Sequence, residues 1–487
     1  MGKREEVACP KTCQQRGAGR RIRCRRAILF GLVWVVGSVG LLPAAGPMAA
    51  ASPERPAAPA VPAPPEFLRH KPRIPEFTLK EKREGSYITG IPLIASDPDS
   101  GVNYGASLQW FENGPKDSPF FSYAPYRRRV AASVNLTTRG TQEYYAEYDQ
   151  PYIADSPWRI RAFGGYLGNT FEPYFGIGER TLGPLAFPGT PGTTYGQASD
   201  YFDASREDRG GRTWSRFNFY EKRQYLFTAD LERDSLGGRL RPMVGLQVSH
   251  LEVRDYTGAE VKGHVNQETL LREDERNGRI RGFDGGWLNL FRLGLTYDSR
   301  DYEPDPTSGV LGQILLEGTS RWLGAGSNYG HVTLEWQGYH HLFPDLARLV
   351  VAANATYSVH FGDPPFFAFS SLSVPSNEQK QGLGGWHTLR GYHLKRFVGK
   401  VQMLGNLELR WGLPDFTVWN QHFRPMLAPF VEAGRVFDAI RRFSVNDWKF
   451  TGGGSLRLAW NLATLISFDY GFSREGSLFY MMLGHPF

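Results

Sequence analysis

The chain has 487 residues, 14% of them aromatic, with 56 Gly and 33 Pro. Outside one N-terminal run it carries no apolar stretch of the roughly 18–20 residues a membrane helix needs, which excludes a polytopic helical membrane protein. Its formal charge of +7 belongs entirely to residues 1–51, where nine basic residues meet two acidic ones. The rest is balanced, so the basic character gives no reason to expect nucleic acid.

Residues 1–51 read as a secretory signal peptide. A basic stretch ending at Arg26 precedes an apolar run from Ala27 to Leu42, and Ala49, Ala50 and Ala51 offer small residues for cleavage. The alternative, an uncleaved helical anchor, is set against by the shortness of the run and its Gly and Pro interruptions. Cys9, Cys13 and Cys24 all lie in this leader, so the mature chain is expected to have no disulfide and no thiol chemistry. Residues 52–75 (SPERPAAPAVPAPPEF onward) are rich in Pro and Ala and predict an extended, semi-rigid tether.

From residue 76 to 487 the dominant pattern is period two. In 331–342, Val332, Leu334 and Trp336 alternate with Thr333, Glu335 and Gln337. In 348–361, Val351, Ala353, Ala355, Tyr357 and Val359 alternate with Asn354, Thr356, Ser358 and His360. In 400–411, Met403, Leu407, Leu409 and Trp411 alternate with Gln402, Asn406, Glu408 and Arg410. Segments of about ten residues with one apolar and one polar face, ringed by aromatics, predict the strands of an outer-membrane barrel. A soluble sandwich would have shorter strands, typically about 5–6 residues.

Sixteen such segments are expected, near 87–96, 102–112, 127–137, 142–150, 158–167, 224–234, 240–253, 286–298, 311–321, 329–342, 348–361, 399–411, 426–434, 452–461, 464–473 and 478–487. An even number leaves both termini on the periplasmic side. A further alternating stretch, 213–222, is assigned to a long outside loop, because admitting it would put a long link on the side of short turns. Long outside loops then fall at 168–223, 254–285, 362–398 and 435–451. The predicted fold is all-β: a sixteen-stranded antiparallel transmembrane barrel with an inserted sixth outside loop, occupying 76–487. The role of the loop 168–223 is not legible.

The sixth loop holds GLGGWHTLRGYHLKRFVGK (382–400), and its Leu389-Arg390-Gly391-Tyr392 core resembles the signature of the BamA/TamA family of outer-membrane assembly factors, the bacterial surface-antigen barrels. Further similarities follow in the family's order: Asp298 to Asp301 with Pro304 and Gly309, then Pro429 to Val436 with Glu432 where the family usually has Asp. Gly452 to Trp460, Phe468 to Gly471 and the closing Gly484 to Phe487 complete the set. One departure matters. The family's POTRA domains, of about 75–80 residues each, would stand ahead of the barrel, where this sequence shows only the tether.

The resemblance implies a lumenal brace in which Arg390 pairs with acids of the inner wall. Alternation nominates Glu432, opposite in phase to Val431, and Asp469, between Phe468 and Tyr470. A guanidinium binds carboxylates bidentately and stays charged at any working pH. The second candidate site is a lateral seam between the first and last strands. Pro92 cannot donate a ladder bond in strand 1, and with Gly90 beside it and Gly484, Pro486 and Phe487 at the other edge, the closure is expected to be weak. A strand ending in the aromatic Phe487 is expected to close the barrel.

Asp97, Asp99 and Ser100 (SDPDSG) lack the spacing of a calcium loop and predict a tight turn. His340 and His341 are rim residues rather than ligands. No G-x-S-x-G, H-E-x-x-H or P-loop pattern occurs, so no enzyme, cofactor or metal is expected. The resemblance implies a factor that inserts or translocates polypeptides across the outer membrane. Its partners would be membrane lipid and unfolded or nascent outer-membrane polypeptides, with room for a separate periplasmic subunit. The alternative is a passive pore or structural surface barrel that has lost the assembly role, since fold does not fix function.

Overall fold

The computed structural model describes residues 63–74, 76–343, 347–376, 380–418, 421–460 and 464–487. The expected signal peptide and most of the expected tether lie outside the described residues. Sixteen antiparallel strands close into one barrel. They are β1 (Ser86–Asp97), β2 (Gly101–Glu112), β3 (Arg128–Thr137), β4 (Thr141–Gln150), β5 (Trp158–Pro173), β6 (Phe219–Arg233), β7 (Leu240–Arg254) and β8 (Leu290–Asp298). The second half is β9 (Gly309–Thr319), β10 (Tyr329–Phe343), β11 (Ala347–Gly362), β12 (Val401–Gly412), β13 (Gln421–Phe437), β14 (Lys449–Trp460), β15 (Thr464–Ser473) and β16 (Gly476–Leu483).

The period-two pattern sorts the side chains. His331, Thr333, Glu335, Gln337 and Tyr339 of β10 are buried in the lumen, while Leu334 and Trp336 face outward; on β12, Asn406, Glu408 and Arg410 are buried and Leu407, Leu409 and Trp411 exposed. In lipid a sheet must close to satisfy its backbone groups, so an outer apolar face with a polar interior is the stable solution. The interior is therefore packed with charge rather than oil. Among the largest fully buried side chains are four arginines, Arg292, Arg390, Arg410 and Arg457.

Strand boundaries differ from expectation in several places, among them β5, which runs on to Pro173 instead of ending at 167. The stretch 213–222 is divided: Arg212–Thr213 pairs with His264–Asn266 in a small three-stranded sheet, and its last residues begin β6 at Phe219. It adds no wall strand, so the parity stands. β13 runs on to Phe437. β16 ends at Leu483, four residues before the end of the chain, because Gly484 takes φ +95° and turns the backbone out of the wall. Phe487 does not end the closing strand as expected. Its ring packs on the lumenal side chains Tyr339, Val350 and Ala352.

The long loops cover one end. Loop 174–218 carries the helix Ala198–Arg206, and loop 255–289 carries Leu270–Arg276. Tyr201, Phe187 and Phe217 form an apolar cluster to which Leu270 adds, and Asp274 of the second loop ion-pairs with Arg180 of the first. At the opposite end, residues 63–74 lie against the short turns. Leu68 is fully buried with Phe120, Ala124 and Tyr152, and the His70 N–H donates to the Gly237 carbonyl at 2.8 Å.

Candidate functional site: the lumenal loop and the seam

Loop 363–400 turns back into the barrel. Two glycines permit its closest approach to the wall. Gly391 has φ +101°, and a Cβ on Gly471 of β15 would lie 2.6 Å from the Arg390 carbonyl carbon. Leu389 and Tyr392 are buried with Leu372, Leu383, Phe397, Leu404 and Val436, which leaves Arg390 aimed at the polar wall.

Arg390 uses its donors on three carboxylates. Nε donates to Glu432 Oε1 at 2.8 Å, Nη1 to Asp469 Oδ1 at 2.8 Å and Nη2 to Glu408 Oε1 at 2.9 Å. Its backbone N–H donates to Glu432 Oε2 at 2.6 Å, and its guanidinium carbon lies 3.4 Å from the Phe430 ring centroid. Burial alone would weaken its hold on the proton, but Glu432, Glu408 and Asp469 outweigh that and hold its pKa above the usual value.

The cluster extends further. Arg457 donates to both oxygens of Glu408, at 2.6 and 2.9 Å, and Arg410 Nε donates to Glu408 Oε2 at 2.9 Å. Trp386 Nε1 donates to Asp469 at 2.9 Å and Thr451 Oγ1 to Glu432 at 2.9 Å. Three arginines thus face three carboxylates, and each buried charge has an opposite partner within hydrogen-bond range, which is what such burial requires.

The structure brings together Arg390, Glu432 and Asp469. Sequence reasoning did not single out Glu408, Arg410, Arg457 or Trp386. The first two stood on the polar face of the alternation in 400–411, and Arg457 shares the phase of Ser455 on β14. A search for in-phase charges on β12 and β14, the strands flanking Glu432, would have found them.

The chain end adds a second layer. His485 Nε2 lies 3.2 Å from Asp305 Oδ1, and Arg457 Nη1 donates to its Nδ1 at 2.8 Å. Because a guanidinium only donates, Nδ1 is the bare nitrogen and the imidazole is neutral. His387 of the loop lies 3.0 Å from the Pro486 carbonyl through Nδ1, and Arg410 Nη2 donates to the Phe487 carbonyl at 3.1 Å. Gly484, Pro486 and Phe487 are therefore not seam residues in the wall. They are part of the lumenal packing.

The seam itself is short. β1 and β2 share twelve register pairs, Ser86↔Glu112 to Asp97↔Gly101, with Gly90 opposite Leu108 and Pro92 opposite Ala106. Between β1 and β16 there is one, Ser96↔Met481. From Ser86 to Ala95, β1 has no β16 partner among the described residues. Ile88 and Ile94 are exposed on the outer face, and Ile91, in the lumenal phase, is exposed as well. Prolines on both edges were expected to weaken the closure. β16 ends at Leu483 and the chain turns inward at Gly484, which leaves the first part of β1 with no β16 strand opposite it among the described residues.

Loop 363–400 also crosses the seam from inside. Tyr480 of β16 donates its hydroxyl to the Tyr392 carbonyl at 3.4 Å, and the Leu394 N–H donates to Asp99 Oδ2, in the β1–β2 turn, at 2.7 Å. His393 pairs with the other oxygen of Asp99. Asp97 shapes that turn by accepting the N–H groups of Asp99 and Ser100.

A Ser–His–Glu contact lies on β9–β11, under the start of loop 363–400. Glu317 faces His331 on the next strand, His331 faces His360, and Ser358 lies 2.8 Å from His331 Nε2. All are buried, with Ala368 and Ser371 of the loop above them. Among the described residues no His, Cys, Asp and Glu cluster has a metal-binding arrangement.

The closed barrel with an arginine-pinned loop in its lumen defines a class of outer-membrane barrel. The Omp85 superfamily domain matches residues 128–487. The chain belongs to the Omp85 superfamily, outer-membrane barrels that insert or translocate proteins and are generally not enzymes. Residues 64–127, which include β1 and β2, match a domain of unknown function, DUF5982. No protein of curated function matches the chain.

Similar solved structures include BamA from Haemophilus ducreyi lacking POTRA domains 1–3, at 14% identity and TM-score 0.49, covering 83% of this chain and 70% of that one. CdiB from Acinetobacter baumannii is 10% identical with TM-score 0.44, covering 82% and 60%. CdiB from Escherichia coli is 12% identical with TM-score 0.45, covering 82% and 62%. The chain thus spans less than two thirds of either CdiB.

Proposed function

We propose that this barrel inserts or translocates polypeptides at the outer membrane by parting β1 from β16. The observation that carries the reading is the single register pair across the seam, against twelve between β1 and β2. An unpaired strand edge templates an incoming strand through its backbone groups, and the exposed Ile88 and Ile94 give that strand a route toward lipid. The clients are unfolded outer-membrane polypeptides. Loop 363–400 and its Arg390 cluster brace the wall while the seam works.

A lumen occupied by buried loop residues argues against the passive-pore alternative, and low single-channel conductance is the expected result. The main test is a disulfide between Ser96→Cys and Met481→Cys, which oppose each other in register, in a chain freed of Cys9, Cys13 and Cys24. Assembly of an unfolded outer-membrane barrel into vesicles is expected to stop when the lock forms and to return with reductant. A complete lock with undiminished assembly overturns the reading.

A further inference from the structure

Two outer loops begin in the same way. β9 is followed by the single helical turn Arg321–Leu323, and β13 is followed two residues later by Ile440–Arg442. Each turn puts arginine beside large apolar side chains that face solvent. Trp322 is 98% exposed and Leu323 41%; Ile440 is 53% exposed, Phe443 60% and Val445 77%. Such groups are rarely left in water in a cluster without a use.

The loop 438–448 has two distinct sides. Its polar side is tied to the loop dome: Asp438 accepts the Glu179 N–H at 2.9 Å, and Arg442 pairs with Asp438 and Glu179. Its apolar side lies over the outer wall. Phe443 stacks on Phe437 with ring centroids 5.7 Å apart, and Phe437 is itself buried with Val359 and Val401. Phe450, on the next strand, is 66% exposed on the outward face of the wall. Arg441 is exposed and has no ion pair among the described residues, and Arg321 is likewise exposed.

We propose that these two turns are membrane feet, seated in the headgroup boundary of the lipid leaflet at the long-loop end. Trp322, Ile440, Phe443 and Val445 would enter the edge of the acyl region. Arg321 and Arg441 would lie along that surface with their guanidinium groups at the level of the lipid phosphates, as long basic side chains do at an interface. The occupant is lipid because the exposed apolar surface of the turn meets the barrel's own lipid-facing band at Phe450. The feet bracket β10 to β13, so they would fix the height of that part of the wall while the seam lies elsewhere on the circumference.

The test uses the full chain, with Cys9, Cys13 and Cys24 replaced, in phosphatidylcholine vesicles. An environment-sensitive fluorophore is attached at Trp322→Cys, at Val445→Cys or, as an aqueous reference, at Thr194→Cys in the exposed part of loop 174–218. A quencher carried on the lipid headgroup is expected to quench positions 322 and 445 several-fold more than 194, independently of protein density. Equal quenching at all three overturns the proposal. Protection at 322 and 445 that rises with protein density also overturns it, because it assigns the surface to a second copy of the chain.

Discussion

The Leu394 N–H donates to Oδ2 of Asp99 at 2.7 Å, joining the tip of the sixth loop to the turn between β1 and β2, 295 residues away in sequence. With one register pair between β1 and β16, this tie and the Tyr480–Tyr392 contact hold the two seam strands to a common loop. Asp99→Ala removes the acceptor for Leu394 and His393 together, at a cost of about 1–2 kcal/mol for a partly buried site. Seam opening is expected to rise roughly tenfold. Faster hydrogen exchange in 86–97 and a lower yield of the 96–481 disulfide check it. Burial alone would push His393 down, but Asp99 holds it above its usual 6.5. The tie is therefore strongest below that value and weakens as pH rises past the raised one.

Arg390→Ala leaves Glu432 and Asp469 without their principal cation, whereas Glu408 keeps Arg457 and Arg410. Uncompensated buried charge costs about 3–5 kcal/mol. The barrel is expected to keep its strand content by circular dichroism but to unfold at lower denaturant and lose heat-modifiability. Arg390→Lys keeps the charge but cannot span three carboxylates, so it recovers only part of the loss. Replacing Glu432 and Asp469 together by Gln and Asn should also destabilise, since Arg390 is then left with a share of Glu408. Wild-type unfolding in either variant contradicts the brace.

Alternation made much of this legible. Val431 and Tyr470 had to face lipid, so Glu432 and Asp469 had to face the lumen, and the glycine pattern of 382–391 marked a loop that packs closely. Selecting Glu408 and Arg457 from the other in-phase charges depends on register across four strands, which no single segment encodes. The inward turn of the tail was hidden because 478–483 is apolar throughout, and Gly484 and Pro486 mark a weak strand end without saying where the tail goes. Asp99 was readable as a turn residue and is one, but its tie to the sixth loop is set by distant chain.

Gly471→Ala tests whether the loop must touch the wall. A methyl there would lie 2.6 Å from the Arg390 carbonyl carbon and 2.9 Å from its Cβ, with backbone on one side that cannot move away. Overpacking of this kind costs about 1–3 kcal/mol. The expected result is a displaced loop tip, seen as faster protease cleavage within 382–398, while Gly454→Ala, with nothing within 4 Å of its added Cβ, leaves the loop protected.

The docked tail should come loose in acid. Burial, then Arg410 and Arg457, push His485 down to about 4, although Asp305 acts the other way. A released tail titrates near 6.5, so below that pH the free form binds a proton that the docked form refuses. Docking is fully favourable above about 6.5 and weakens as pH falls toward 4, by at most about 3 kcal/mol. His387, also pushed down to about 4 by burial, acts in the same direction. A fluorophore at Phe487→Cys, with the leader cysteines replaced, is expected to become accessible to an aqueous quencher across that interval. In His485→Gln, which keeps a donor and an acceptor but does not titrate there, the transition should shrink and leave only the share due to His387. A wild-type-sized transition in that variant would assign the acid release to another group.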